Sequence, residues 1–349
     1  IFRVLTCYQP VRYRKRRSKA PGWFVPRRGG GASRDLTKEN RDFLRDLVKE
    51  KYDKTLSSPL KEEPWPRGTW DFGTKRVGLL AIKLGMTAQF NKKGQKVACT
   101  LLQVVDNHVV GYTPPEKFMN SVGWKPWWRN MYGSVTVGAM SCDPSGFTKA
   151  YNNIFLNAGV PTKRKLTRFL VTPNAAVQPG TRLNVMHFKV GDYIDLQAKT
   201  VDHGFQGVVK RWGFKGQRQS HGVGKSERRP GATGVGRVSS GIIKGKKLPG
   251  HMGSDWNTSK GSQIVRINTK YNLIYVRGPC SGPTHCFVRI MDTCLPVRRD
   301  EIEKSENHPS MPTTFPEDLT EEVPEEYFHE SLHQFNEPSI TYSADEDSK

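Results

Sequence analysis

The sequence predicts a mainly β protein built on one small barrel, with a helical insertion, a long basic loop and irregular ends. Three observations carry that reading. Short segments rich in β-branched residues and bounded by turn residues recur from Val77 to Met291. Between two of them, residues 203–253 hold thirteen glycines, eleven Lys or Arg and a single acid, Glu227. So few aliphatic side chains cannot offset the entropy of ordering, so the stretch is an insertion from a β body and not a domain of its own. Finally, the ends differ from the middle: no acid occurs before Asp35, while the last fifty residues carry fifteen Asp or Glu against Lys304 and Lys349.

In chain order, residues 1–74 form a basic arm. Arg14, Arg16 and Arg17 lie in an acid-free stretch whose composition resembles an organellar transit peptide. A mature arm following a removed presequence fits equally, and Tyr8, Tyr13, Trp23 and Phe24 favour RNA binding by it. The chain starts at Ile1 rather than Met, which is consistent with processing or truncation. A helix is expected from Lys38 to Lys54, capped by Thr37 and striped by Phe43, Leu44, Leu47 and Val48. Pro59, Pro64 and Pro66 then impose an extended linker.

Residues 75–112 supply the first barrel strands, Val77 to Ile82, Met86 to Phe90 and Lys96 to Val105, with Asn91 to Gly94 and Asn107 as turns and His108 to Tyr112 continuing the meander. Residues 113–181 are the insertion, with a helix from Phe147 to Asn157 between a Ser145 cap and a Gly159 stop. Lys163, Arg164, Lys165 and Arg168 form a second basic patch, and Trp124, Trp127 and Trp128 fit packing better than base stacking. Residues 182–202 and 259–299 complete the barrel through Arg182 to Phe188, Tyr193 to Thr200, Gln263 to Asn268, Leu273 to Arg277 and Cys286 to Met291, and 203–258 is the loop. The acidic tail, 300–349, reads as irregular peptide draped on a partner or left disordered.

Charge bears on partners. The net charge is +22 overall, −13 on the tail and therefore +35 before it. That field attracts nucleic acid or an acidic membrane surface, and with no apolar run of about eighteen residues, membrane insertion is not expected. Six cysteines without a CxxC pair point to a reducing compartment and to ordinary thiols, and the spacing of Cys280, His285, Cys286 and Cys294 matches no zinc pattern. No metal or cofactor is expected.

GVGKS at Gly222–Ser226 imitates part of a phosphate-binding P-loop. The match fails because the required glycine five positions before Gly224 is Gln219, and no apolar strand feeds the loop. His203, His221 and His251 have no acid or nucleophile nearby in sequence, and Glu227 reads as an ion-pair partner of Arg228 or Arg229. Phe205 and Val208–Val209 are assigned to the barrel, while Trp212 fits plugging the loop's base and stacking on a nucleobase equally well.

VGLLAIKLGMTAQFNKKGQKVACTLLQV at Val77–Val104, AKTVDHGFQGVVKRWGFKGQ, SHG at Ser220–Gly222, RRPGATG at Arg228–Gly234 and KGKKLPGHMG at Lys244–Gly253 resemble, in this order, the L-three family of large-subunit ribosomal proteins. The resemblance covers about residues 75–295, and the flanking segments are similar to the family's mitochondrial branch. It implies a split β-barrel of the SH3-like, translation-protein type, whose long loop runs into large-subunit rRNA toward the peptidyl-transferase centre. It further implies a structural role without enzymatic chemistry, cofactor or small-molecule substrate, in the mitochondrial matrix, beside neighbouring ribosomal proteins. Carried over by position, Lys210, Arg211 and Trp212 belong to the stem, Arg229 to the turn, and Lys244, Lys246 and Lys247 to the returning run. Lys215, Arg218, His221, Lys225, Arg228 and Arg237 complete the expected RNA contacts of the loop. Bacterial members have a glutamine-rich, methylated tip where this chain has Val235, Gly236 and Arg237, so no methylation is expected. An RNA-directed nucleotide hydrolase and an architectural DNA-binding protein remain as rival readings.

Overall fold

The computed structural model describes residues 63–121, 131–236, 241–298, 309–315 and 323–334, together with Glu39, Phe43 and Asp46, whose backbone is helical. The remainder of the expected Lys38–Lys54 helix, the basic arm and the three tryptophans near 124–128 fall outside these residues.

The protein is mainly β. Its strands are β1 (Leu79–Phe90), β2 (Lys96–Val104), β3 (Asn107–Thr113), β4 (Gly133–Ser141), β5 (Lys163–Val171), β6 (Arg182–Leu183), β7 (Tyr193–Lys199), β8 (Gly204–Gln206), β9 (Gly250–Met252), β10 (Trp256–Asn268), β11 (Leu273–Arg277), β12 (Phe287–Asp292) and β13 (Glu326–Phe328). β11, β2, β1, β12, β7 and β10 pair antiparallel in that order, and β10 pairs again with β11, so the six close into a ring. Closure leaves no free edge among them.

β1 begins with five consecutive buried residues, Leu79–Lys83, the signature of a strand covered on both faces. Just before it, a side chain on Gly78 would run into the carbonyl of Ile290 and come within 2.6 Å of the Phe169 ring. The two strands expected from Val77 to Phe90 are one, bent where the register slips between Lys83 and Gly85. At that bulge the Lys83 ammonium turns inward and donates to the carbonyls of Cys280 and Gly282, at 2.7 and 2.8 Å.

β3 does not continue the ring meander. It joins a second sheet, ordered β5-β4-β3-β6, because the chain turns at Asp106 (φ 41°) and the buried Asn107 amide donates to the Leu80 carbonyl at 2.8 Å. The expected strand Arg182–Phe188 shrinks to β6, also in the second sheet, followed by a 3-10 turn at Val185–His187. Both sheets share one core, in which Leu79, Leu102, Leu196 and Ile290 meet Val135, Val137, Phe169 and Leu183.

The insertion holds β4 and β5 as well as its helix, which runs Lys149–Ala158. Its cap position is Thr148 rather than Ser145, and it ends at Gly159, whose left-handed φ of 71° closes the helix as expected. The second basic patch loses one member. Lys163 is fully buried, its ammonium donating to the Asp106 carbonyl (2.9 Å) and the Ser141 hydroxyl (2.8 Å), and burial lowers its pKa to about 8. Arg164, Lys165 and Arg168 are exposed.

The described parts of the acidic tail are draped on the protein's own body. Arg76, with a side chain 1% exposed, forms a bidentate pair with Asp292 and also donates to the carbonyls of His187 and Ser310. Further on, β13 adds to β10, and Leu332, buried, bridges to Asn91. Glu326 accepts two bonds from Arg266 at 2.6 Å, while the Arg266 guanidinium lies over the rings of Tyr275 and Phe328.

Candidate nucleic-acid interface

β7 and β10 outrun the ring and become a two-stranded ribbon. Its rungs are Lys199 opposite Trp256, then the Thr200 amide on the Asp255 carbonyl (2.9 Å), the His203 amide on Met252 (2.8 Å), and Phe205 opposite His251 in the β8–β9 pair. Gly253 is required here, since its φ is 93° and a side chain would strike the Val201 carbonyl. The basic loop hangs from the end of this ribbon.

A short helix, Val208–Trp212, opens the loop and stops at Gly213, φ 72°. The Arg211 guanidinium and the Trp212 indole both donate to the Leu248 carbonyl at 2.9 Å, tying the outgoing chain to the returning one. Arg211 and Lys247 lie over the Trp212 ring, 5.0 and 5.8 Å from its centroid. Of the two roles open to Trp212, the indole bond places it at the loop's base, yet the ring stays 42% exposed.

Beyond this root the backbone folds on itself twice. The Gln217 amide bonds the Glu227 carbonyl (3.0 Å), and the Ile243 amide bonds that of Thr233 (3.2 Å). Lys210, Lys215, Arg218, His221, Arg228, Arg229, Lys244 and Lys247 are exposed, and Arg211 and Lys246 half-buried. Among the described residues, ion pairs join Arg76 to Asp292, Arg266 to Glu326 and Lys270 to Glu325, and none involves a cation of the loop. Glu227 accepts instead from the Gln219 amide at 3.1 Å, so the expected pairing with Arg228 or Arg229 gives way to a contact across the fold. Arg14, Arg16, Arg17, Arg237 and the side chain of Lys225 lie outside what is described.

Two assignments to the barrel diverge. Val208 is buried, whereas Phe205 is 69% exposed, because β8 pairs only with β9 and stands clear of the ring. GVGKS contains a single 3-10 turn, Gly224–Ser226, with no strand leading into it. Among the described residues no group of three or more His, Cys, Asp or Glu is placed to hold a metal ion, and no helix is long and apolar enough to cross a membrane.

The family model described as Ribosomal protein L3 matches residues 162–273, which contain the ribbon, the loop and its return. The large ribosomal subunit protein uL3 of Rickettsia akari is 34% identical over 227 residues, 65% of this chain and 99% of that protein. The chain belongs to the ribosomal protein L3 family. Members of this family are structural ribosomal proteins and not enzymes. The large ribosomal subunit protein uL3m of Arabidopsis thaliana is 36% identical over 226 residues, 65% of this chain and 66% of that protein. The uL3 of Rickettsia prowazekii is 33% identical over 217 residues, 62% of this chain and 95% of that protein. Within the family's segment, sequence reasoning found the cations of the loop but missed Leu248 as the acceptor that closes it, since a backbone carbonyl leaves no trace in composition.

Proposed function

We propose that this chain is a structural constituent of the mitochondrial large ribosomal subunit, and that residues 203–258 enter folded large-subunit rRNA toward the peptidyl-transferase centre. One observation carries the reading. Among the described residues from 203 to 253, Val208 alone is buried, so this part of the loop has no core, and none of the ion pairs found among the described residues involves one of its cations. A polyanion moulds such a segment by neutralising it, and glycine lets the backbone approach phosphate closely. Lys210, Lys215, Arg218, Lys225, Arg228, Arg229, Arg237, Lys244, Lys246 and Lys247 supply charge, with Arg211 and Trp212 at the root and His221 among the loop's exposed residues. In the arm, Arg14, Arg16 and Arg17 extend the same interface.

The six-stranded ring serves as the split barrel that anchors the loop, the described residues of 113–181 as a second body beside it, and residues 309–315 and 323–334 as a strap. The mitochondrial setting is supported by the likeness to a uL3m and by the acid-free first 34 residues. Partners are rRNA and adjoining large-subunit proteins, with no cofactor or small-molecule substrate.

Titrating the purified chain with structured large-subunit rRNA at several salt concentrations tests this. With about eight phosphates neutralised, log affinity falls with log salt at a slope near −0.7 per phosphate, and duplex DNA competes poorly. Equal affinity for duplex DNA would sink the ribosomal reading. In a mitochondrial lysate the tagged chain is expected to sediment with the large subunit after EDTA separates the two subunits.

A further inference from the structure

We infer that Phe205 and Trp256, at separate rungs of the ribbon that carries the loop, each offer a stacking seat for an unpaired nucleobase of the bound RNA. The inference rests on the RNA-binding reading above and adds a base-contacting element to it, outside the cations of the loop. Phe205 is 69% exposed and Trp256 53% exposed. Both sit where the strand pairing is only two wide or just leaving the ring, so neither ring is part of the core.

Each ring has a nitrogen-bearing side chain beside it. The Lys199 ammonium lies 5.8 Å from the Trp256 centroid, directly across the ladder. The His251 imidazole meets Phe205 edge to face, 6.3 Å between centroids and 79° between planes. At Trp256 the flanking Lys199 cation puts a π-face and phosphate neutralisation in one place, which is what a single nucleotide presents in return, and at Phe205 the exposed ring offers the π-face. A protein neighbour would instead need a contiguous apolar patch with charge at its rim, whereas here Lys199 and His251 interrupt the apolar surface beside each ring. The RNA must be unpaired at this point, since bases within an A-form duplex do not expose their faces.

The test uses the full chain and two probes of about twelve nucleotides, an oligoadenylate and an abasic strand with the same phosphates. The Phe205→Ala/Trp256→Ala variant keeps the wild-type melting temperature, because both side chains are exposed. Its affinity for oligoadenylate falls on the order of tenfold per ring, while its affinity for the abasic strand and its salt slope stay put. The Phe205→Tyr/Trp256→Phe variant restores binding. Equal loss on both probes would make the rings general supports and overturn the seats. No loss on either, with co-sedimentation failing, would assign the patch to a protein neighbour and overturn them as well. If instead the wild-type chain binds neither probe in a salt-dependent way, the RNA-binding reading itself falls.

Discussion

Trp212 and Leu248 close the root of the basic loop through one hydrogen bond of 2.9 Å, from the indole nitrogen to the carbonyl oxygen. Arg211 donates to the same oxygen, so one acceptor receives both bonds from the outgoing chain. Gly250 lies against the Arg211 guanidinium, and a side chain there would displace it. Below this point the strands are paired and above it the chain has no core. The root therefore separates the paired ribbon from the segment that, in the proposed function, RNA orders.

Removing the ring tests that division. In Trp212→Ala, amide exchange at the root, residues 207–213 and 246–249, quickens, while the ring strands stay protected and global stability changes by less than about 1 kcal/mol. Exchange mass spectrometry on the free protein reads both regions at once. Protection of 214–247 already complete in the free wild type would show that the loop folds without a partner.

Arg76 is expected to be the most sensitive charged residue of the body. Its guanidinium is buried and bonds Asp292, His187 and Ser310, which belong to three separate segments. Arg76→Met takes a donor from the His187 and Ser310 carbonyls and the partner from Asp292, which at 35% exposed regains some hydration, and costs about 2–4 kcal/mol. Arg76→Lys recovers little, since an ammonium cannot span the fork. Urea unfolding measures both, and a loss under about 1 kcal/mol for Arg76→Met would refute the assignment.

The mainly β character was legible in the sequence from Val77 to Met291, because alternation is local. Partner choice was not. His108–Tyr112 alternates in the manner of a ring strand, yet its neighbours are β4 and β6, and one alternating stretch does not say which sheet it enters. Lys163 read as surface charge because nothing local announces the Asp106 and Ser141 oxygens that receive it. Phe205 read as core because burial depends on how many strands flank β8, a long-range fact.

The tail offers a stability test of its own. Leu332, 1% exposed, joins Val97, Cys99 and Val265 in a small cluster on the outside of the ring. Leu332→Ala removes apolar contacts and leaves a void, costing about 2–5 kcal/mol. A shift of the thermal midpoint of several degrees is expected, and none would mean that the tail contributes no packing.

His187 sets an acid limit. Burial, with the Arg76 charge nearby, lowers its pKa from 6.5 to about 3, and its Nδ1 lies 2.9 Å from the Thr313 hydroxyl. The native state thus keeps the ring neutral at a pH where the unfolded chain protonates it. Stability is fully present above pH 6.5 and falls as pH drops toward about 3, by up to about 1.4 kcal/mol per unit. Carboxylates join only in the lower part of that window, so the interval from about pH 6.5 to 5 isolates histidine. His187→Gln lowers stability at neutral pH but flattens the slope in that interval, with part left to His108, whose pKa burial lowers to about 4. Denaturant midpoints at half-unit steps resolve the difference, and an unchanged slope in the variant would remove His187 from the acid response.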